Sequence, residues 1–168
     1  MHKEASWRCV VRIAFGFDEK THLIETIRKN LEERGREVIE FAPGEGEDTA
    51  WPRVAREAAE TVAAGSADEG IVLCWTGTGV SIAANKVPGI RAALCGDAET
   101  ARGARLWNNA NILCMSIRRT SEVLAGEILE AWFGTSYQPN DVDDACLTQI
   151  DDLDTHYRTE PDGSGSGI

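Results

Sequence analysis

Residues 71–86 read IVLCWTGTGVSIAANK, and this segment carries the most information about the architecture of the chain. It opens with an uninterrupted apolar run, which is typical of a strand that is covered on both faces. The glycine-rich turn TGTG follows at residues 76–79, and residues 80–85 have the pattern of a short helix. A buried strand that turns sharply into a helix predicts one unit of a parallel sheet flanked by helices.

The rest of the chain repeats this alternation of short apolar runs and helical segments. Strands are predicted at residues 10–15, 37–42, 70–74, 90–95 and 111–115. Longer helices are predicted at residues 21–34, 50–64, 98–107 and 122–133. The pattern therefore predicts an α/β fold in which a five-stranded parallel sheet carries helices on both faces. Sites in such sheets form at the carboxyl ends of the strands.

The length of 168 residues predicts one domain with an ordinary core. We assign this domain to residues 10–137, with an N-terminal tail at 1–9 and a flexible C-terminal tail at 158–168. Between them, residues 138–157 form a C-terminal arm that is acidic but carries apolar residues at helical spacing. Such an arm is expected to pack against another surface, and a partner chain would supply one. The apolar positions of the arm are Val142, Leu147, Ile150 and Leu153.

The charge and cysteine counts exclude several classes of protein. The chain has 17 Lys and Arg against 28 Asp and Glu, a net charge of −11, which disfavours nucleic acid and anionic membranes as partners. No apolar run approaches the roughly 20 residues of a membrane helix, and residues 1–8 lack the apolar core of a signal peptide. The five cysteines show no CxxC spacing, which disfavours a zinc site or a disulfide scaffold and favours reduced thiols in the cytoplasm.

The glycine turn predicts an anion-binding site. Glycines let successive backbone N–H groups point into one concavity, where they can hold a phosphate or the oxyanion of an enediolate. The turn lacks the third glycine of a dinucleotide fingerprint and the Gly-Lys-Ser/Thr ending of a P-loop, so a tight turn without a ligand stays open as an alternative. Cys74 lies beside this anion-binding site, where a thiolate could take a proton from a carbon next to a carbonyl. The alternative for Cys74 is a small buried apolar residue.

Residues 74–86 resemble the loop of the ribose-5-phosphate isomerase type B family, which also holds the galactose-6-phosphate isomerase subunits. The family loop runs Cys-Gly-Thr-Gly-hydrophobic-Gly and continues with Ser-Ile-Ala-Ala-Asn-Lys, whereas this chain reads CWTGTG, Val80 and then SIAANK. Further matches bring the resemblance to about residues 11–137. It implies a Rossmann-like three-layer α/β/α sandwich and a homodimer or tetramer with shared active sites. It also implies aldose–ketose isomerisation without a metal or other cofactor.

The resemblance also implies roles for individual residues. Cys74 corresponds to the base that moves a proton through a cis-enediolate, and Thr76 is its polar neighbour. Asp18 corresponds to the aspartate that contacts the sugar and assists ring opening. The amides of residues 75–79 would hold the enediolate oxygens. The substrate-binding positions implied or suggested in this way are Glu19, Trp75, Gly77, Thr78, Gly79, Ser81, Trp107, Asn108 and Arg118, the last two reaching across the dimer.

Four features of the site depart from the family pattern. Glu19 replaces a histidine, Trp107 replaces the ring-opening histidine, and Trp75 replaces a glycine. Two arginines that grip the substrate phosphate align with Asp141 and Ala145. Glu19 and Asp141 would place negative charge where the family has cations, and they would repel a phosphate by about 4 kcal/mol for a close pair at an effective dielectric of 20. Trp75 and Trp107 would instead offer flat apolar faces to a sugar.

Several alternatives remain for these positions. Trp107 could instead pack into the core at a helix end, and Glu19 could be a solvated acid that complements a helix dipole. Lys20, Arg118 and Arg119 could supply the lost positive charge. His22 could replace a missing histidine, although a surface role is commoner for such a residue.

The sequence therefore predicts a metal-independent aldose–ketose isomerase of a small sugar or sugar phosphate other than standard ribose-5-phosphate. One alternative is an isomerase or epimerase of a tetrose phosphate or an unphosphorylated sugar. A lyase that uses the same proton abstraction and a non-catalytic sugar-binding homologue also remain open.

Overall fold

The computed structural model describes residues 10–44 and 51–156, which form five strands and six helices. The strands are β1 (Arg12–Phe17), β2 (Glu37–Phe41), β3 (Glu69–Cys74), β4 (Ala92–Leu94) and β5 (Ile112–Ser116). The helices are α1 (His22–Glu33), α2 (Trp51–Ala63), α3 (Thr78–Ala84), α4 (Ala98–Asn108), α5 (Glu122–Phe133) and α6 (Asp141–His156). Among these helices, none is long and apolar enough to cross a membrane.

The predicted five-stranded parallel sheet is confirmed, with the strand order β2-β1-β3-β5-β4. Helices α1, α4 and α5 cover one face, where the core contains Phe15, Phe17 and Trp132. Helices α2 and α3 cover the other face, where smaller residues such as Ala14 and Val72 pack. These are the three layers of an α/β/α sandwich, and the small residues let α2 and α3 approach the sheet closely.

The edge strand β4 is shorter than the predicted run at residues 90–95. The side chain of Asn85 makes the hydrogen bonds that a neighbouring strand would make. It accepts a hydrogen bond from the Ala92 amide at 2.9 Å and donates one to the Ala92 carbonyl at 2.8 Å. The side chain of Asn111 binds the backbone just before β4, where its oxygen accepts a hydrogen bond from the Arg91 amide at 2.8 Å. These two asparagines pair backbone groups that the short strand leaves free.

A polar cluster ties the amino end of β3 to the helices on one face. Glu69 accepts one hydrogen bond from the Arg105 guanidinium and one from the Trp132 indole, both at 2.7 Å. Arg105 also donates to the Ala110 carbonyl at 2.6 Å. Because these bonds join β3, α4 and α5, they fix the end of the sheet that lies opposite the strands' carboxyl ends.

The predicted C-terminal arm is the helix α6, and none of its side chains is buried. Asp154 accepts from the Gly89 amide at 2.7 Å, and Asp151 lies 3.9 Å from the Arg91 guanidinium. The arm therefore rests on its own chain through polar contacts, and several of its apolar side chains stay exposed. The predicted tails at residues 1–9 and 158–168 lie outside the described residues.

Candidate active site

The candidate site lies where the chain leaves β1 and β3. Helix α1 follows β1 onto one face of the sheet and α3 follows β3 onto the other, which opens a crevice at the carboxyl ends of these two strands. Phe17 pairs with Leu73 at the end of the ladder. The next residue of each strand, Asp18 and Cys74, therefore reaches the same edge of the sheet.

The glycine loop is fastened to the end of β5. The Ser116 hydroxyl and the Arg118 amide donate to the Trp75 carbonyl at 2.9 and 3.1 Å, and the Ile117 amide donates to the Cys74 carbonyl at 3.0 Å. Gly77 has a φ of 76°, and a Cβ there would lie 2.8 Å from the Met115 carbonyl carbon. Only glycine combines this left-handed conformation with so close an approach to another backbone.

Open amides line the loop. The Gly77 amide donates to the Cys74 carbonyl at 3.2 Å, so it is already occupied. The amides of Thr76, Thr78 and Gly79 make no hydrogen bond within the part of the chain that the structure describes. Two of them belong to the first turn of α3, where amides have no partner inside the helix. This arrangement can accept an oxyanion.

Cys74 lies directly beneath this loop. Its side chain is only 4% exposed and belongs to the small-residue core with Val80, Ala84 and Cys114. The structure thus places a shielded thiol at the carboxyl end of β3, next to the open amides. The other buried thiols among the described residues belong to Cys95 and Cys114. Burial, with a smaller effect of Asp97, raises the pKa of Cys95 to about 12.

Asp18 is half-buried, and its Oδ1 atom is buried without a hydrogen-bond partner among the described residues. Burial raises the pKa of this carboxyl above its ordinary value, and the neighbouring charge of Glu19 raises it further. Native proteins rarely leave a buried polar atom unsatisfied, so this oxygen is available to a ligand. An unpaired carboxyl oxygen beside Cys74 is suited to contact a sugar hydroxyl.

A second concavity adjoins the loop on its β5 side. We call it the arginine cleft, with a volume of about 610 Å³ and a lining that includes Thr76, Thr78, Ser116, Arg118 and Arg119. Neither arginine forms an ion pair with a carboxylate in the described ranges, although Asp97 also lines the cleft. The guanidinium of Arg118 lies 6.0 Å from the centre of the Trp75 ring. Two unneutralised cations next to the loop favour an anionic ligand.

Trp107 and Asn108 lie far from Cys74 of the same chain. They end α4, which runs for 11 residues, about 16 Å, back to the amino ends of the strands. Trp107 is 58% exposed, so it is not a core residue. Both residues line the arm cavity, a space of about 420 Å³ whose wall on the other side is formed by Cys146, Leu147 and Ile150 of α6. One chain therefore does not bring them to the base.

Other predicted positions divide between the site and the core. Trp75 is 56% exposed beside the loop, as a ligand contact requires. Ser81 instead lies close to the fully buried thiol of Cys114, on the small-residue face, where its hydroxyl lowers the pKa that burial raises. His22 pairs with Glu122 at 3.2 Å, which occupies the imidazole at the surface.

No pattern in the sequence pointed to Trp51, the first residue of α2. Its ring lies against Gly79, where a Cβ would come within 2.9 Å of the indole. Trp51 thereby packs against the glycine loop, and a substituent at position 79 would displace it. Only a contact between distant parts of the chain could show this role.

Comparison with known proteins shows the family of the chain. The family model described as Ribose/Galactose Isomerase matches residues 13–150. The chain belongs to this family. This confirms the family membership and the Rossmann-like fold that the resemblance of the glycine loop implied. The protein is an aldose–ketose isomerase.

Three relatives illustrate the range of the family. Ribose-5-phosphate isomerase B of Escherichia coli is 41% identical over 128 residues, which cover 76% of this chain and 86% of that protein. D-erythrulose-4-phosphate isomerase 2 of Mycolicibacterium smegmatis is 40% identical over 138 residues, covering 80% and 88%. Among solved structures, ribose-5-phosphate isomerase B of Clostridium thermocellum has a TM-score of 0.82 at 38% identity and covers 88% of this chain and 99% of that one. These proteins are named for different sugar phosphates, so membership defines the reaction class and not the substrate.

Proposed function

We propose that this enzyme interconverts a small aldose and ketose through a cis-enediolate, without a metal, and that Cys74 is the base. The observation that carries the proposal is the placement of the Cys74 thiol under three open amides, at the same sheet edge as Asp18. A base and preorganised N–H donors are what proton transfer next to a carbonyl requires.

The steps follow from this arrangement. Asp18 contacts a sugar hydroxyl and, for a substrate that forms a ring, assists the opening of that ring. The Cys74 thiolate takes the proton from the carbon next to the carbonyl, and the electron pair forms the double bond of the enediolate. The amides of Thr76, Thr78 and Gly79 and the hydroxyl of Thr76 stabilise its oxygens. The hydroxyl proton on the deprotonated carbon passes to the oxyanion formed from the carbonyl. The thiol then returns its proton to the former carbonyl carbon, and a new carbonyl forms on the carbon that first lost its proton.

The site favours a substrate other than ribose-5-phosphate. Residues 141–153 contain no Arg or Lys, so the arm offers no cation to a phosphate. Trp75 adds bulk beside the loop where the family has glycine, which favours a shorter sugar. Two relatives at 40% and 37% identity are named D-erythrulose-4-phosphate isomerases, which supports a four-carbon sugar phosphate as a candidate. Arg118 and Arg119 are the side chains placed to hold its phosphate.

A panel of sugars in D₂O tests the reaction. We expect conversion of at least one short aldose or ketose, with deuterium entering the product at the carbon that receives the proton. The panel contains D-erythrulose-4-phosphate, ribose-5-phosphate, galactose-6-phosphate and the three unphosphorylated sugars. Deuterium in the product would support proton transfer through an enediolate, and binding without conversion of any sugar would contradict the proposal and indicate a sugar-binding homologue instead.

We also propose that two copies of the chain share their active sites. Trp107 and Asn108 are exposed about 16 Å from the carboxyl ends of the strands of their own chain. The arm beside them exposes Ile150 and Leu153, and α3 exposes Ile82. A homodimer would cover these apolar surfaces and bring Trp107 and Asn108 of one protomer to the glycine loop of its partner.

Truncation after Tyr137 tests this arrangement. Removing the arm is expected to weaken dimerisation, activity or both, because it exposes the surface around Trp107. Light scattering at micromolar concentration and turnover of the best sugar of the panel provide the measurements. A mixture of Cys74→Ala and Asn108→Ala chains should regain part of the activity that each lacks alone, since a mixed dimer contains one intact site. A fully active monomer would show that the sites are not shared.

A further inference from the structure

The hydroxyls of Thr76 and Thr78 form a direct pair at the mouth of the glycine loop. Their Oγ1 atoms are 2.7 Å apart, and this is the only hydrogen bond that either hydroxyl makes within the described part of the chain. Both side chains are exposed and line the arginine cleft. The pair therefore faces the space that a ligand would occupy.

The backbone brings this pair together. Gly77 lies between the two threonines with a φ of 76°, and this left-handed residue turns the chain so that both side chains meet on one side. The family loop has a hydrophobic residue at the position of Thr78, so the pair is a property of this chain and is not implied by the resemblance.

The Thr78 hydroxyl does not cap the helix α3. Thr78 is the first residue of α3, and the helix has no side-chain hydrogen bond at its N-cap, which is Gly77. The Ser81 amide donates to the Gly77 carbonyl and not to Thr78. Loss of the Thr78 hydroxyl would therefore leave the bonds of the helix unchanged.

We propose that Thr78 is a positioning residue that holds the Thr76 hydroxyl toward the enediolate. A threonine hydroxyl has one proton to donate and two lone pairs that accept. When Thr78 donates its proton to Thr76, the proton of Thr76 stays free for the developing oxyanion, and the accepted bond polarises it further. The inference rests on the proposed function, because it assumes that Thr76 contacts the reacting oxygens.

The inference is tested with Thr78→Val, Thr78→Ser, Thr76→Val and the double variant Thr76→Val/Thr78→Val, with D-erythrulose-4-phosphate and ribose-5-phosphate as the probes. Thr78→Val keeps the shape and removes the hydroxyl, and it should lower kcat about three- to tenfold with little change in KM, the effect of one ordinary hydrogen bond. Thr78→Ser keeps the hydroxyl and should restore kcat. In the double variant with Thr76→Val, the Thr78→Val change should have no further effect, because the hydroxyl that it positions is already absent.

Thr61→Val is the matched control. The Thr61 hydroxyl donates to the Glu57 carbonyl inside α2, at 2.7 Å, away from the loop. This variant should keep full kcat, and the thermal unfolding midpoint of Thr78→Val should equal that of the parent protein.

Three results would overturn the inference. Full kcat in Thr78→Val, failure of Thr78→Ser to restore kcat, or additive losses in the double variant would each show that Thr78 does not act through Thr76. Cys74→Ala in the same assay separates this failure from that of the proposed function. An inactive Cys74→Ala beside a fully active Thr78→Val overturns the positioning role alone, and full activity in both variants overturns the two proposals together.

Discussion

Replacement of Cys74 by alanine is expected to lower turnover at least about a hundredfold and to leave the fold intact. Positioned acid–base groups contribute typically 10²–10⁴-fold to a rate, and alanine has no group that can accept the proton. The side chain is buried among small residues, so the loss of one sulfur atom leaves only a small cavity. Steady-state kinetics on the best sugar of the panel, with circular dichroism as the check on folding, provide the measurement.

Two further variants sharpen the assignment of the base. Cys74→Ser keeps the size of the side chain but raises its pKa far above neutrality, so it should lose activity almost as fully as Cys74→Ala. Cys95→Ala is the matched control, since it removes another buried thiol, whose pKa burial raises to about 12. A Cys74→Ala protein that keeps most of its activity would remove Cys74 from the mechanism.

The second large effect concerns the substrate phosphate. Arginine pairs hold phosphate through charge-assisted hydrogen bonds of about 1.5–3 kcal/mol each, and here the aligned positions are Asp141 and Ala145. The loss of two such bonds weakens binding by roughly 3–6 kcal/mol, which is about a hundred- to ten-thousandfold in affinity. The ordinary range of kcat/KM for enzymes begins at about 10⁴ M⁻¹s⁻¹. We therefore expect kcat/KM for ribose-5-phosphate to lie below this range. A value within that range would contradict the prediction.

The reverse change provides a direct test. The variant Asp141→Arg with Ala145→Arg should gain affinity for ribose-5-phosphate, and the gain should shrink as the salt concentration rises. The control is Asp152→Arg with Gln149→Arg, which adds the same charge at two other exposed positions of α6. No gain at low salt, or an equal gain in the control, would show that positions 141 and 145 do not face the phosphate.

The arginine cleft offers another place for a phosphate. Arg118 and Arg119 line this cleft, whereas Lys20 lies close enough to Glu25 to help lower the pKa of that carboxyl. The structure therefore favours the two arginines over Lys20 as the source of positive charge. The sharing of sites between protomers decides whether they serve their own loop or that of the partner.

Local pattern was sufficient to predict the layers, the strands and the glycine loop. A strand that is buried on both faces is apolar throughout, and amphipathic helices repeat their apolar residues every three or four positions, so both can be recognised within a short window of sequence. The left-handed turn at Gly77 is equally local, since few residues other than glycine adopt its φ. For the same reason, Cys74 could be placed at the end of β3 from the sequence alone.

The direction of each side chain was decided by the tertiary structure. Ser81, Asn85 and Thr78 belong to one continuous motif, yet Ser81 turns to the buried Cys114, Asn85 pairs with the edge strand, and Thr78 faces the cleft. These residues point in different directions around a seven-residue helix, and only the packing of that helix shows what each direction meets.

The route of the chain separated residues that the sequence had grouped into one site. Asp18 and Cys74 come together because β1 and β3 are parallel neighbours, although 56 positions separate the two residues in the sequence. Trp107 and Asn108 lie at the opposite end of the strands because α4 runs back across the sheet before β5 begins. Which residues share a site depends on strand order and helix direction, and these depend on contacts between distant segments. The chemistry of the loop could therefore be predicted from local sequence, whereas contacts between distant segments select the side chains that reach it.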